Sequence, residues 1–366
     1  MIKALLNLII LVLPFSELLR FEVFPNIYLR VLDILALGLL GLLVIDNPGK
    51  IIKAKNIWLF LGILVISNLA NPFNPQSGLY LIRTIIYFSL IPFFLNPEPK
   101  LTLKNHQLLN LSLVVFVISG LLQYFWYPEL RNLYYLGYDP HSYRWVGLFL
   151  DPNLSSLLLV WIIVYFWPQK NKLAKPIIAL SLLSLLLTYS RIGWLSFLVG
   201  WIYMYNQKVL HKQNLKLILI LFLLILMLPR YFGEGTNLLR TNSIFAKIES
   251  SQIVLKQLKT KPLLGIGYNN IHLLKSSQNE PIANNSLYGI DNSWLTVLIT
   301  SGIIGLILFL RVIKQIGQKS EKLFKVLGVV YLVHSFSVNS FFMPTLLMFF
   351  LLFSLSLHKS ASSSSE

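Results

Sequence analysis

Two pieces of sequence decide how this chain reads: KPLLGIGYNNIH (261–272) and, after a polar loop, GIDNSWLTVLITSGIIGLILFL (289–310). The second piece holds an apolar run of the length that crosses a hydrocarbon core, about 20 residues. It opens on an acid-amide pair, Asp291-Asn292. A carboxylate at the mouth of a membrane helix, beside a long extramembrane segment, is a natural seat for chemistry. Gly302 and Gly305 let that helix pack closely against a neighbour.

Working outward, similar apolar runs recur over the whole chain. The 366 residues are 55% hydrophobic and 12% charged, with a mean hydropathy of +0.67. That is the composition of a polytopic membrane protein. Ala4 to Phe15 could pass for a signal peptide. It lacks a small-residue cleavage site and runs into Pro14, Glu17 and Arg20, so it reads as a helix. Twelve spans are expected: 3–16, 28–45, 56–70, 77–95, 107–126, 149–167, 176–190, 192–206, 216–229, 292–311, 324–340 and 341–357. They form a single transmembrane domain over 1–357, an all-α helical bundle. Residues 230–291 make its one large loop, and the low-complexity tail 358–366 is expected to be disordered. No internal repeat is found, and no pair of broken helices of the transporter type.

Lysine orients the bundle. Residues 49–56, 97–105, 168–175, 207–216 and 311–322 are short and basic, which places them in the cytoplasm together with both termini. Segments 17–27, 71–76, 127–148, 190–191 and 230–291 then face outward. Within the last, Leu238, Phe245, Ile248 and Leu255 share a stripe at helical spacing. This predicts an amphipathic helix over 238–258 that lies on the membrane or caps the bundle, stopped by Pro262. The net charge of +17 belongs mostly to topology loops, which argues against nucleic acid as a partner. The chain has no cysteine, which excludes disulfides and thiolate metal sites.

The nine arginines follow a different rule. Only Arg311 falls in the cytoplasmic set. Arg20, Arg131, Arg144, Arg191, Arg230 and Arg240 lie outside, and Arg30 and Arg83 lie in the outer thirds of their spans. Arg30 has Asp33 one turn away, whereas Arg83 has no acid nearby in sequence. Guanidinium presents a planar fork that matches phosphate oxygens in pairs, and it stays charged where water is scarce. An outward cluster of arginine points to a phosphate-bearing substrate carried on a lipid.

Four local patterns line up. RWVGLFLDPN (144–153) starts a helix with Asp151 as cap and Pro152 in its first turn. SRIG (190–193) is a tight outer turn. PLLGIG (262–267) permits a tight backbone turn whose amides could meet an anion at Gly265 and Gly267. DN (291–292) leads into GIIG (302–305). In this order the four resemble the O-antigen polymerase and ligase family, over roughly 144–311. The matching positions are Arg144, Gly147, Phe149, Pro152 and Asn153; Ser190-Arg191; Pro262, Gly265 and Gly267; and Asp291-Asn292 with Gly302 and Gly305. Ile192 stands ahead of Gly193 in place of the family's glycine. Asp291 stands where the ligases carry histidine, which tilts the reading toward polymerases.

The resemblance implies a GT-C-like bundle with a lipid groove. It also implies an inverting, metal-independent glycosyltransfer on the outer face of the bacterial cytoplasmic membrane, with no cofactor. The donor and the acceptor would both be polyprenyl-diphosphate-linked oligosaccharides, in an O-antigen, capsule or exopolysaccharide pathway. Besides these and membrane lipid, a chain-length regulator fits as a partner. Arg191 and Arg240 are expected to stabilise the leaving diphosphate. Arg144, Arg83, Asn153, Gly265 and Gly267 are expected to bind substrate. Asp291 is the expected base and Asn292 orients the sugar, with Glu249 and Glu234 in reserve. His141 and His272 are off the motifs. A ligase and a lipid-linked-sugar transporter are the alternatives.

Overall fold

In a computed structural model of the chain, the described residues are 1–24, 27–72, 74–95, 101–136, 138–229, 234–238, 240–275, 290–318 and 320–357. Arg230, residues 276–289 ahead of Asp291 and the tail 358–366 fall outside them. The first half comprises α1 (Ile2–Val12), β1 (Arg20–Phe24), β2 (Ile27–Arg30), α2 (Val31–Asp46), α3 (Pro48–Ile52), α4 (Lys55–Leu69), α5 (Pro75–Leu95), α6 (Leu103–Trp126) and α7 (Pro152–Phe166). The second half comprises α8 (Ala174–Leu187), α9 (Arg191–Asn206), α10 (Lys216–Met227), α11 (Asn242–Leu258), α12 (Ile271–Lys275), α13 (Ser293–Gln318), α14 (Lys322–His334) and α15 (Pro344–Leu357).

Each of the twelve expected spans carries a helix, but most of these helices are short. By length and composition, only α5, α6 and α13 among the described residues are long and apolar enough to cross a membrane. A 15-residue helix such as α7 rises only about 22 Å, against about 30 Å of hydrocarbon. The reason lies at the ends. Proline punctuates them: Pro14 follows α1, Pro152 opens α7, and Pro344 opens α15. Twelve full crossings are therefore not what the helix lengths give.

Helix α7 is the centre. It is apolar all round and buried from Ser155 to Phe166, as a helix with no polar face must be. It packs against α8, α9, α14 and α15. Its Trp161 indole donates to the Leu327 carbonyl at 3.1 Å and meets Tyr331 edge-on at 5.0 Å. Around this core α13 runs along α4, α14 along α9, α15 along α5, and α1 along α2 and α6. Helix α10 is peripheral, with Leu221 its one fully buried residue.

The segments assigned outward by charge touch one another at one end of the bundle. The Tyr138 hydroxyl donates to the Glu17 carbonyl at 3.2 Å, Arg191 reaches the Arg240 carbonyl, and Asn74 meets His272. The lysine-rich set meets at the other end, where Asn56 donates to Gln315.

Three features depart from the expectation. β1 and β2 pair antiparallel, with Arg20 opposite Arg30 and Phe21 opposite Leu29, across the expected outer segment 17–27 and the start of the next span. Arg30 therefore ends a strand and does not sit inside a span. Helix α11 starts at Asn242 and not at 238, and its apolar stripe is left uncovered by the protein, as on a helix lying on the membrane. Phe245, Ile248 and Leu255 are exposed, while Val254 packs with Ile266, Ile271, Ile290 and Ile299. The third is a break inside α13 at Gly302 (φ 65°, ψ −169°).

Candidate active site

Arg144 is built into a rigid corner. Tyr143 and Leu150 on either side take positive φ, and Trp145 N–H donates to the Leu187 carbonyl at 2.9 Å. Arg144 Nε donates to the Thr188 carbonyl at 2.8 Å. The residue is 5% exposed, yet its Nη2 is buried with no partner among the described residues. Its stem rests on Gly235, where an added Cβ would stand 2.9 Å from Arg144 Cδ.

Arg191 opens α9, whose cap Ser190 accepts from Gly193 N–H. Arg191 Nη1 donates to the Arg240 carbonyl at 3.0 Å. Arg240 in turn donates to the Gly235 carbonyl at 2.6 Å and to the Tyr189 carbonyl at 3.2 Å. Three guanidiniums from distant parts of the sequence are thus gathered. Burial, followed by the charges of Arg240 and Arg191, pushes Arg144 down to about 9, against the opposing pull of Asp151 and Asp139. It remains charged at neutral pH. Gathering like charges and leaving a buried donor unmet is costly unless an anion arrives to satisfy them.

Carboxylates rim this cluster. The ligating atoms of Asp139, His141 and Asp151 all lie within 4.8 Å of one another. Asp139 is exposed to solvent. Desolvation by the protein around it, then the charges of Asp151 and Asp291, push it up to about 6, with Arg144 opposing. His141 is held down at about 3 by burial, Arg144 and Arg240. These are the donors among the described residues that come together in a way that could hold a cation. The guanidiniums that depress His141 would also repel one, so the electrostatics favour an anion. Asp151 has two jobs, since its Oδ1 also caps α7 by accepting from Asn153 and Leu154 N–H at 2.6 and 3.0 Å. Sequence reasoning missed Asp139 and set His141 aside. The signal available was an acid and a histidine two residues apart in an arginine-bearing outer loop.

Asp291 is 62% exposed in its side chain and stands 3.5 Å from Lys247 Nζ, which also donates to the Ser337 carbonyl at 2.6 Å. Asp291 is near enough to act on both Asp139 and Asp151. Asn292 Oδ1 accepts from Leu295 N–H at 3.0 Å, so it caps α13. Asn153 is held from three sides. Its Oδ1 accepts from Ser190 Oγ at 3.0 Å, and its carbonyl accepts from Ser156 Oγ at 2.6 Å and meets His334 Nε2 at 2.9 Å. Of the reserves, Glu249 is exposed on α11, and the Glu234 side chain lies outside the described residues.

Arg83, Gly265 and Gly267 stand elsewhere. Arg83 Nη2 lies 3.0 Å from Asp33, an acid fifty positions away in sequence, and also donates to the Tyr28 carbonyl. Asp33 accepts from the Tyr87 hydroxyl at 3.1 Å, while Arg30 grips both oxygens of Glu17 at 2.9 Å. This is a self-contained ion network behind the hairpin. The glycine turn docks into the break of α13. Ile266 N–H donates to the Ile299 carbonyl at 2.8 Å, Ile303 N–H to the Pro262 carbonyl at 2.9 Å, and Gly265 N–H to the Lys261 carbonyl at 3.0 Å. An added Cβ at Gly265 would lie 2.2 Å from the Ile299 carbonyl oxygen. The amides of Gly265 and Ile266 are thus committed within the protein.

Residues 176–310, a little over a third of the chain, match a family model described as O-antigen ligase. The matched interval includes Arg191, Arg240 and Asp291, and leaves Arg144, Asp139 and Asp151 upstream of it. No curated protein matches the chain. The apolar helices together with this match point to an integral membrane protein that processes glycans. The match supports the O-antigen polymerase/ligase family, in agreement with the resemblance read from the motifs.

Proposed function

We propose that the chain is a membrane glycosyltransferase that polymerises polyprenyl-diphosphate-linked repeat units at the outer face of the bacterial cytoplasmic membrane. The observation that carries this reading is the gathering of Arg144, Arg191 and Arg240, with one buried donor of Arg144 unmet. In the reaction, an acceptor hydroxyl oxygen attacks the anomeric carbon of the donor sugar. The bond from that carbon to the diphosphate oxygen breaks, the configuration inverts, and the lipid diphosphate leaves with the bonding electrons. Negative charge grows on the leaving oxygens, where preorganised guanidiniums stabilise it most. They supply the positive charge a metal ion would bring. The hydroxyl proton passes to Asp291, an exposed carboxylate that an acceptor sugar can reach, held beside Lys247.

The test uses the purified full chain with lipid-diphosphate-linked repeat units, a chelator and no nucleotide. Long glycan on the lipid carrier is the expected product, and Arg191→Ala and Asp291→Asn each abolish it while still inserting. A normal chain-length ladder from both variants would sink the assignment. The ligase reading is favoured by the wording of the matched family. It predicts glycan on a different acceptor and no lengthening on the carrier, so the same product analysis separates the two.

A further inference from the structure

A groove runs along α14, starting at the end of the molecule opposite the arginine cluster. Helices α5, α13, α14 and α15 leave a partly open groove of about 310 Å³ between them, lined by residues such as Phe88, Leu95, Ile316, Gly328 and Phe350. Small-ligand pockets run from ~300 to 1,000 Å³. The lining is almost wholly apolar, with one charged exception, Lys325. Lys325 is half-buried and makes no ion pair or side-chain hydrogen bond among the described residues, not even with Glu321 one turn earlier. It sits one turn into α14, at the end where Lys314 and Lys322 are also exposed. This is the end that the lysine bias assigns to the cytoplasm.

We propose that this groove holds one acyl chain of an anionic phospholipid from the cytoplasmic leaflet, with the lipid phosphate against Lys325. A half-buried ammonium without a counter-ion is costly next to hydrocarbon, and a lipid phosphate at the interface relieves that cost. Basic pockets between membrane helices on the cytoplasmic side are suited to anionic headgroups. From Lys325 to Leu332 the groove follows α14 for about 10 Å. Its outer end is closed by aromatic packing, with Phe341 against Phe309 at 5.2 Å, Tyr331 at 5.2 Å and Trp294 at 5.3 Å. That floor stands between the groove and Asp291. A polyprenyl phosphate in the same leaflet would offer Lys325 a similar anion, and it is therefore the competitor in the titration. The proposal does not rest on the glycosyltransferase reading.

The experiment titrates the purified full chain with phosphatidylglycerol and, separately, with phosphatidylethanolamine, reading bound lipid by native mass spectrometry. The anionic lipid is expected to bind preferentially. Lys325→Gln should weaken it about fivefold, the worth of one lysine near a charged headgroup. Lys325→Arg should retain it, and so should Lys322→Gln, an exposed neighbour. Gly328→Leu should lose it by filling the groove; a Cβ there meets only Phe350, at 4.0 Å. Equal binding of the two lipids, unchanged binding by Lys325→Gln, or displacement of phosphatidylglycerol by polyprenyl phosphate would each overturn the proposal.

Discussion

Asp139 carries a charge that its surroundings resist. Its carboxyl is pushed up to about 6 by desolvation and by Asp151 and Asp291. In the unfolded chain it ionises near the ordinary carboxylate value, about 4. The folded state therefore holds the proton more tightly, and stability falls as pH rises from about 4 through 6. Asp139→Asn removes the ionisation, so its Tm should match the parent near pH 4 and exceed it at pH 8. Equal Tm values at both pH values would show that Asp139 feels no such repulsion. The arginine bias singled out Arg144, Arg191 and Arg240, which the fold gathers, but equally Arg83, which pairs with Asp33 instead. The acidic half of the site was not legible. Asp139 and His141 match no motif, Asp151 read only as a helix cap, and what joins the three is a loop with positive-φ turns at Tyr143 and Leu150.

Among the elements, α13 holds most of the tension between sequence and structure. Gly302 and Gly305 read as a close-packing pair, whereas Gly302 breaks the helix and receives the 262–267 turn. A Cβ at Gly302 would lie 2.1 Å from the Leu263 carbonyl oxygen. Gly302→Ala should therefore lower stability by about 2–4 kcal/mol, from the positive φ and the forced shift together. Gly41→Ala in α2 has nothing within 4 Å of the new Cβ and should be neutral or stabilise by up to about 1 kcal/mol. Thermal unfolding of the two variants side by side checks this. The positions of all twelve helices were legible from apolar runs and basic loops. Their lengths were not, because proline and capping residues end the helices inside the runs. The hairpin was hidden because RFEVF and IYLR are too short to stand out beside apolar segments.

At the scale of the whole molecule, charge bias predicts which loops face which side. The chain has no cysteine, so single introduced cysteines report cleanly. Arg131→Cys, at a side chain 68% exposed, should react with a membrane-impermeant maleimide in intact spheroplasts. Lys172→Cys, also exposed, should react only after permeabilisation. The opposite pattern would invert the topology and place the arginine cluster in the cytosol.

Helix α10 has a consequence for how such a chain can change over time. It is the stretch between α9 and the segment that bears Arg240, and Leu221 is its one fully buried residue. Arg240 is held in place by Gly235, Tyr189 and Arg191, none of which lies on α10. Selection can thus act on this helix as a spacer. Its greasy composition and reach are constrained by the lipid around it, while its exposed side chains, those other than Leu217, Ile218, Leu221 and Ile225, are free to drift without disturbing the chemistry it delivers.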